Sequence, residues 1–386
     1  MKIGIVAPHA FPKPMDGGSI RSRAIADAFS KAGYEVFFFG REESLRITGN
    51  DGAVLQSSIP RGDSKLLPAT LSLVRRSHYV KEKHMPRRWI DAAREVLNRL
   101  QPEIVLLNFV WSEETVCRLN YKPRVLLDTH NNEVEWFENL MAHGKNGALG
   151  RLICRSSIRH SLRCIDAMAA ETEMIHVSER DRDFYAGRRP DLVHRILPNG
   201  CLVKQRSENP GYDSGIKQLF FLGSLSTSMN QDALVMFAEK FWPVLKDETE
   251  FTAIGSNPPQ SVRDLCEKNH WALVANPSDE ELERSLEKMH YAVLPFAYGA
   301  GSKLKLLDAC GRGIPALATA GGVTGFSNLP TGVFVSEAPE EWLKKIHQNS
   351  FSHSEQDDVV LFAKSYSWES LVNQFISTAK LNDFRK

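Results

Sequence analysis

The sequence predicts an α/β protein of two Rossmann-like, doubly wound domains facing each other across a cleft. Three observations predict it. The chain has 386 residues, more than one ordinary core accommodates and enough for two. Short apolar runs alternate with helix-period segments, which is the grammar of parallel sheets. That alternation stops and restarts near residue 200, where Pro198, Asn199 and Gly200 supply turn chemistry and a polar run over 204–216 reads as a linker.

Residues 2–7 read as a buried strand, Gly17 and Gly18 as a tight loop, and 19–32 as a helix that Gly33 ends with a left-handed cap. A second strand follows at 34–39, then a helix at 92–100, strands at 104–107 and 125–128, and an amphipathic helix over 151–165. Residues 167–170 and 174–177 read as short strands, with Ser178 as the N-cap of the next helix. The second series opens with a strand at 218–222, a Gly223-Ser224 turn and a helix capped by Asn230 or Asp232. Strands at 251–254, 272–275 and 291–295 continue it. The last helix, 368–381, is amphipathic through Leu371, Val372, Phe375 and Ile376. Domains therefore fall at 1–200 and 201–365, with 366–386 as a terminal helical segment.

Charge narrows the partners. Forty-eight Lys and Arg against 47 Asp and Glu leave a formal net charge of +1, so no global field selects nucleic acid. The six cysteines, Cys117, Cys154, Cys164, Cys201, Cys266 and Cys310, show neither CxxC nor metal-ligand spacing and read as reduced thiols in a cytoplasmic protein. No apolar run approaches the ~18 residues a membrane span needs.

The most informative stretch is 290–319. An apolar strand breaks at a glycine-bearing turn over 297–301, a helix begins at 302 with lysines in its first turn, and another strand follows at 315–319. A helix that starts after a parallel strand directs its free N–H groups at the carboxyl edge of the sheet, where phosphates of nucleotide ligands bind. Gly301, Ser302, Lys303 and Leu304 supply that helix start. Lys305 and Asp308 lie three apart on one helical face, which places Lys305 near a phosphate and Asp308 one turn deeper, where a carboxylate accepts both hydroxyls of a ribose. The alternative is an ordinary surface turn with an exposed Lys–Asp pair.

Residues 61–99 hold ten Lys or Arg against four Asp or Glu, interleaved with leucines, Tyr79 and Trp89. Such a segment fits a peripheral contact with an anionic membrane at its inner face, or a grip on a phosphate-bearing acceptor. It fits equally a solvated helical face packed by its leucines. Arg151, Arg155 and Arg159 repeat at four-residue intervals as a second basic stripe with the same two readings.

Four segments together resemble a known family: GGSIRSRAIADAFSKAGYEV near the start, ILPNG at 196–200, FFLGSLSTSMNQDAL from Phe220, and LPFAYGAGSKLKLLDACGRGIPALAT. In this order, over nearly the whole chain, they resemble the GT-B glycosyltransferases, in particular the retaining family 4 group that uses nucleotide sugars. The resemblance implies an acceptor-binding N-terminal domain, a donor-binding C-terminal domain and a last helix that crosses back to the first. It implies a nucleoside diphosphate sugar as co-substrate, no further cofactor, and a glycan, lipid-linked or small-molecule acceptor.

Residue by residue, Asp308 matches the second acid of the family's paired-acid motif, while Ala300 stands where the first would be. Gly17 and Gly18 match the loop that approaches the donor diphosphate. The glycine after the FFL strand is Gly223. Ser224 stands where an arginine is usual, and Asn230 lies near the usual lysine, which leaves Lys303 and Lys305 as the available cations. His130, in LLDTHNNEVEW, matches a histidine near the transferred sugar, with Glu133 and Glu135 beside it. Val274 and Ala275 fall where the family reads the nucleotide base. No DxD stands in a loop, since Asp181-Arg182-Asp183 reads as helix, so no metal is expected. A nucleotide-sugar epimerase or hydrolase on the same scaffold, and a degenerate GT-B binding module, are the rival readings.

Overall fold

The computed structural model describes residues 1–7, 17–41, 45–48, 54–56, 66–143, 147–204, 215–298, 304–326, 328–348 and 353–381. The chain divides into two compact units, Met1–Pro198 with Leu371–Lys386, and Asn199–Ser370.

The first unit holds β1 (Lys2–Val6), β2 (Glu35–Arg41), β3 (Leu45–Thr48), β4 (Val54–Gln56), β5 (Ile104–Asn108), β6 (Arg124–Asp128), β7 (Glu173–His176) and β8 (Val193–Ile196). They form one sheet in the order β4-β3-β2-β1-β5-β6-β7-β8. From β2 to β8 every pairing is parallel, while β3 and β4 add to the edge antiparallel. Helices cover the parallel strands, so β1 and β5 read as nearly unbroken apolar runs and are almost wholly buried. From β1 the chain winds outward to β2 and then returns to β5 on the other side, so the strand order reverses between β1 and β5.

The second unit holds β9 (Lys217–Leu222), β10 (Thr249–Gly255), β11 (Ala272–Ala275), β12 (Tyr291–Leu294), β13 (Ala316–Ala318) and β14 (Val333–Val335). All are parallel, in the order β11-β10-β9-β12-β13-β14. Here the order reverses between β9 and β12. Aromatic side chains pack in its core: Phe251 lies 4.6 Å from both Phe237 and Trp271, and Phe241 lies 4.1 Å from Trp342, measured between ring centroids.

The last helix, Trp368–Thr378, buries Leu371, Val372, Phe375 and Ile376. Its end is anchored within the first unit. Arg124 Nη2 donates to the Ala379 carbonyl at 2.7 Å and Arg195 Nη1 to the Thr378 carbonyl at 3.4 Å, while Glu173 pairs with both arginines.

Four local expectations are corrected. Gly17 and Gly18 are the first residues of the helix Gly17–Lys31, not a loop. Residues 167–170 are not a strand, because the helix Ala148–Ala167 runs on and ends in a turn. β3 and β4 were not anticipated. The helix Ser228–Met236 has Thr227 at its N-cap position, so Asn230 lies inside its first turn and Asp232 beyond it. Gly33 does adopt the left-handed conformation, at φ 85°, and Ser178 does accept from the Asp181 N–H as N-cap.

Glycine is obligatory where β10 ends. A methyl group on Gly255 would lie 1.7 Å from the Gly223 carbonyl oxygen, a clash with backbone that no side-chain movement relieves. Gly255→Ala is therefore expected to destabilise the protein by at least about 1–3 kcal/mol. Gly187→Ala is the control: it lies in the helix Glu179–Arg188, and its methyl group would meet nothing within 4 Å. It should add roughly 0.4–1 kcal/mol. Urea denaturation of both variants checks the pair, and equal effects would contradict the close approach.

Candidate functional site

In the second unit the carboxyl ends of β9, β10 and β12 converge where the strand order reverses, the position at which open α/β sheets bind ligands. A methyl group on Gly223, just after β9, would lie 2.6 Å from Lys305 Cε and 3.0 Å from Asn230 Nδ2. The lysine side chain thus lies flat against a bare backbone. Its Nζ stands 5.5 Å from the ring centroid of Phe296 and 5.9 Å from that of Phe221, cation–π contacts that hold an ammonium in apolar surroundings. Burial lowers the Lys305 ammonium to about 8, against the opposing pull of Asp308.

Asn230 Nδ2 donates to the Ser224 carbonyl at 2.7 Å, and Thr227 Oγ1 donates to the same oxygen at 3.0 Å. These two bonds fix the turn after β9. Asp308 stands one turn beyond Lys305 in the helix Leu304–Gly311, its side chain 41% exposed, with Oδ1 3.8 Å from Arg312 Nη1. Arg312 in turn pairs with Glu283 at 3.0 Å. Val274 and Ala275 close β11 at the same edge, where the next N–H, Asn276, donates to the Gly255 carbonyl at 2.9 Å. Ala300, Gly301, Ser302 and Lys303 lie outside the described residues.

In the first unit the same edge is polar and buried. Arg21, on the helix after β1, donates from Nε to Asp128 Oδ2 at 2.7 Å and from Nη2 to Oδ1 at 3.1 Å. Its remaining donors reach the carbonyls of Leu197 at 2.8 Å and Pro198 at 3.1 Å. Both side chains are 1% exposed. Burial pushes the Asp128 carboxyl up, but Arg21 and then His130 outweigh it and hold the group below its ordinary value.

Asn108 closes β5 with its Nδ2 on the Val6 carbonyl at 3.1 Å. Its Oδ1 accepts from Ser22 Oγ at 2.9 Å and pairs with His130 Nε2. An amide oxygen only accepts, so His130 carries its proton on Nε2. The imidazole stacks on Phe109, with centroids 4.4 Å apart, and its backbone is left-handed at φ 59°. Phe109 stacks in turn on Trp111, and Trp111 on His78.

Glu133 lies beneath this column. It accepts from Trp111 Nε1 at 3.0 Å and Ser161 Oγ at 3.3 Å, and burial pushes its carboxyl up to about 7. Burial also holds His78 well below its ordinary value, so the 3.8 Å approach of His78 to Glu133 is not an ion pair at neutral pH. Glu133 thus belongs to the core, whereas Glu135 pairs at the surface with Arg180.

Residues 216–349 match the family model for glycosyl transferases group 1. That match lies within the second unit. No curated protein matches the chain. Among solved structures, sucrose-phosphate synthase from Thermosynechococcus elongatus is similar at a TM-score of 0.72 and 14% identity, covering 100% of both chains. WaaG, a glycosyltransferase involved in lipopolysaccharide biosynthesis, is similar at a TM-score of 0.64 and 14% identity, covering 96% of this chain and 98% of its own. Anabaena HepE in complex with UDP-glucose is similar at 0.63 and 9% identity, covering 98% and 99%. The chain therefore carries a glycosyltransferase domain on a GT-B fold.

Within the transferase domain, Gly223, Ser224, Asn230 and Lys305 form one cluster, and Asp308 extends it by a helical turn. The polar cluster of the first unit joins His130 to Arg21, Ser22, Asn108 and Asp128, four residues that the sequence reading passed over. The signal was there: Asn108 and Asp128 each end an apolar strand with a polar side chain. The basic segment is less available than its charge count implies. Trp89, Ile90, Val96 and Leu97 are core, Arg75 pairs with Glu82 at 3.0 Å, and Lys81 pairs with Glu114.

The Glu133 carboxyl keeps its proton to about 7 when folded and ionises near 4.5 when unfolded. The folded state therefore binds the extra proton between these values, and its stability falls as pH rises from 4.5 to 7. Glu133→Gln should raise stability by about 2–3 kcal/mol at pH 8 and by little at pH 4. Urea denaturation at both pH values tests this, and a shift of equal size at both would refute the buried-acid assignment.

Proposed function

We propose that the protein transfers a sugar from a nucleoside diphosphate sugar to a saccharide, lipid-linked or other small acceptor, with retention of configuration and without a metal. One observation carries the reading: a single lysine lies against bare glycine backbone at the sheet reversal of a group 1 glycosyltransferase domain. The anomeric carbon–oxygen bond to the diphosphate breaks, the acceptor oxygen bonds to the anomeric carbon on the same face, and the acceptor proton passes to the departing phosphate. Charge grows on that phosphate in the transition state, and Lys305 Nζ stabilises it from a site with little water. Asp308 is assigned to the ribose hydroxyls, the turn of Gly223 and Ser224 to the diphosphate, and Val274 and Ala275 to the base.

Gly17, Gly18 and the stretch Gly301, Ser302, Lys303 and Leu304 complete the proposed donor contacts. His130 is assigned to the transferred sugar, and its ring is held for that role by Asn108 and Phe109. HepE is described with UDP-glucose, which supports a nucleotide sugar as donor. A cytoplasmic location, with peripheral contact to an anionic membrane through residues 61–99, belongs to the same proposal. No helix among the described residues is long and apolar enough to cross a membrane, and exposed Val74, Arg87 and Arg88 support contact at a surface.

Calorimetry with UDP, GDP, ADP and dTDP in EDTA tests the proposal. One diphosphate should bind, and silence from all four would overturn the reading. Turnover of the matching sugar nucleotide without an acceptor would instead favour an epimerase or hydrolase, and binding without turnover on any acceptor a degenerate module.

Asp308→Ala should weaken diphosphate binding by roughly tenfold or more, the loss of a charged hydrogen bond, while Lys305→Ala should lower kcat as well as diphosphate affinity. Because the Lys305 ammonium is lowered to about 8, the protein offers less positive charge as pH rises through that value. Diphosphate affinity should therefore fall between pH 7 and 9.5, and the fall should vanish in Lys305→Gln. A profile unchanged by the substitution would remove Lys305 from the phosphate.

A further inference from the structure

In the first unit, a cavity of about 560 Å³ opens between the helices Leu66–Val74 and Ala148–Ala167, lined by Leu73, Arg76, Leu152, Ser156, Arg159 and Arg163. Its charged groups are all arginines. No ion pair involves Arg76, Arg159 or Arg163 among the described residues, and the only acid on the long helix, Asp166, pairs with Arg188 at 2.6 Å. That helix repeats arginine at 151, 155, 159 and 163, a spacing at which like charges are neighbours and destabilise the helix.

Three of these features arrange the cations rather than merely expose them. Arg163 is tied down, its Nη2 on the Arg76 carbonyl and its Nε on the Arg159 carbonyl at 3.3 Å. Arg76 sits in the left-handed conformation at φ 49°, turning the chain where the short helix ends. Ser156 Oγ reaches the Ser72 carbonyl at 3.5 Å and links the two helices. The lining also carries apolar groups, Leu73 and Leu152, and on the same two helices Leu149 and Val74 are 60% and 82% exposed, Leu152 50%. Along the helix the leucine and the two arginines are separated by roughly 10–16 Å.

We propose that this cavity binds a phosphate group carried on an apolar chain, with Arg76, Arg159 and Arg163 on the phosphate and Leu73 and Leu152 against the chain. Guanidinium forks suit phosphate oxygens, and the lining offers neither a carboxylate for a cation nor an aromatic ring for a base. The site is separate from nucleotide-sugar binding and gives the protein a hold on a phospholipid or another lipid-linked phosphate.

The test is calorimetry on the full chain with dihexanoyl phosphatidic acid below its micellar concentration, and with glycerol 3-phosphate as the same headgroup without chains. Phosphatidic acid should bind, and glycerol 3-phosphate should bind at least about tenfold more weakly. Arg159→Gln and Arg76→Gln should each lower phosphatidic acid affinity by roughly tenfold. Leu152→Asn should lower it about threefold or more while sparing glycerol 3-phosphate. Arg155→Gln removes the same charge from the same helix outside the cavity and should change affinity less than about twofold. Equal losses at Arg155 and Arg159 would mean a diffuse basic face and overturn the proposal, as would equal affinities for the two ligands or no binding of phosphatidic acid. Nucleoside diphosphate affinity, measured alongside, separates failure of this site from failure of the donor reading.

Discussion

The buried pair of Arg21 and Asp128 is the constraint on which the polar edge of the first unit depends. Two charges taken out of water are tolerated only when their hydrogen-bonding capacity is met. Here the guanidinium meets both carboxylate oxygens and two backbone carbonyls. Removing one partner would strand the other charge at a cost of about 3–5 kcal/mol. The pair ties the helix after β1 to the end of β6 and to the chain leaving β8, three segments remote in sequence. Once these are fixed, Ser22 and His130 both reach Asn108 Oδ1. The orientation of the histidine is thus set by groups that carry no chemistry of their own.

The second unit solves a related problem with less charge. Glycines at 223 and 255 let backbone meet backbone, and Lys305 lies in the space that side chains would have filled. Ser224 and Asn230 bring no charge to this turn, so among the described residues of the cluster Lys305 supplies the ammonium. Its burial lowers its affinity for a proton and, by excluding water, strengthens its attraction for a phosphate that enters. The two effects have one cause, so the titration of Lys305 reports directly on the environment that makes it useful.

What the sequence disclosed follows from the range of each interaction. Strands buried on both faces announce themselves as apolar runs, and the reversal at β9 and β12 follows from a repeated βαβ grammar. The edge strands β3 and β4 do not, because LRIT and VLQ are short, mixed in polarity and paired antiparallel outside the covered sheet. Gly17 and Gly18 read as a loop because glycine disfavours helices, yet they begin one. Lys305 and Asp308 were legible from a spacing of three within one helix. The pairing of Arg21 with Asp128 spans 107 positions, and no local pattern encodes it. The arginine stripe over 151–159 was visible, but Arg76 joins it only through the fold.

The two proposed anion sites differ in a way that matches different tasks. A half-buried lysine against apolar rings concentrates one charge in a medium of low polarity, where a small displacement of the phosphate changes the energy steeply. That suits a group whose charge changes during a reaction. Arginines grouped around a wide cavity offer several guanidinium forks to one phosphate, each adding to the grip. Their sum suits a ligand that must be held while its far end remains free. Leucines in the lining of the cavity add what charge cannot, a preference for phosphates that carry an apolar chain over the soluble phosphates that outnumber them.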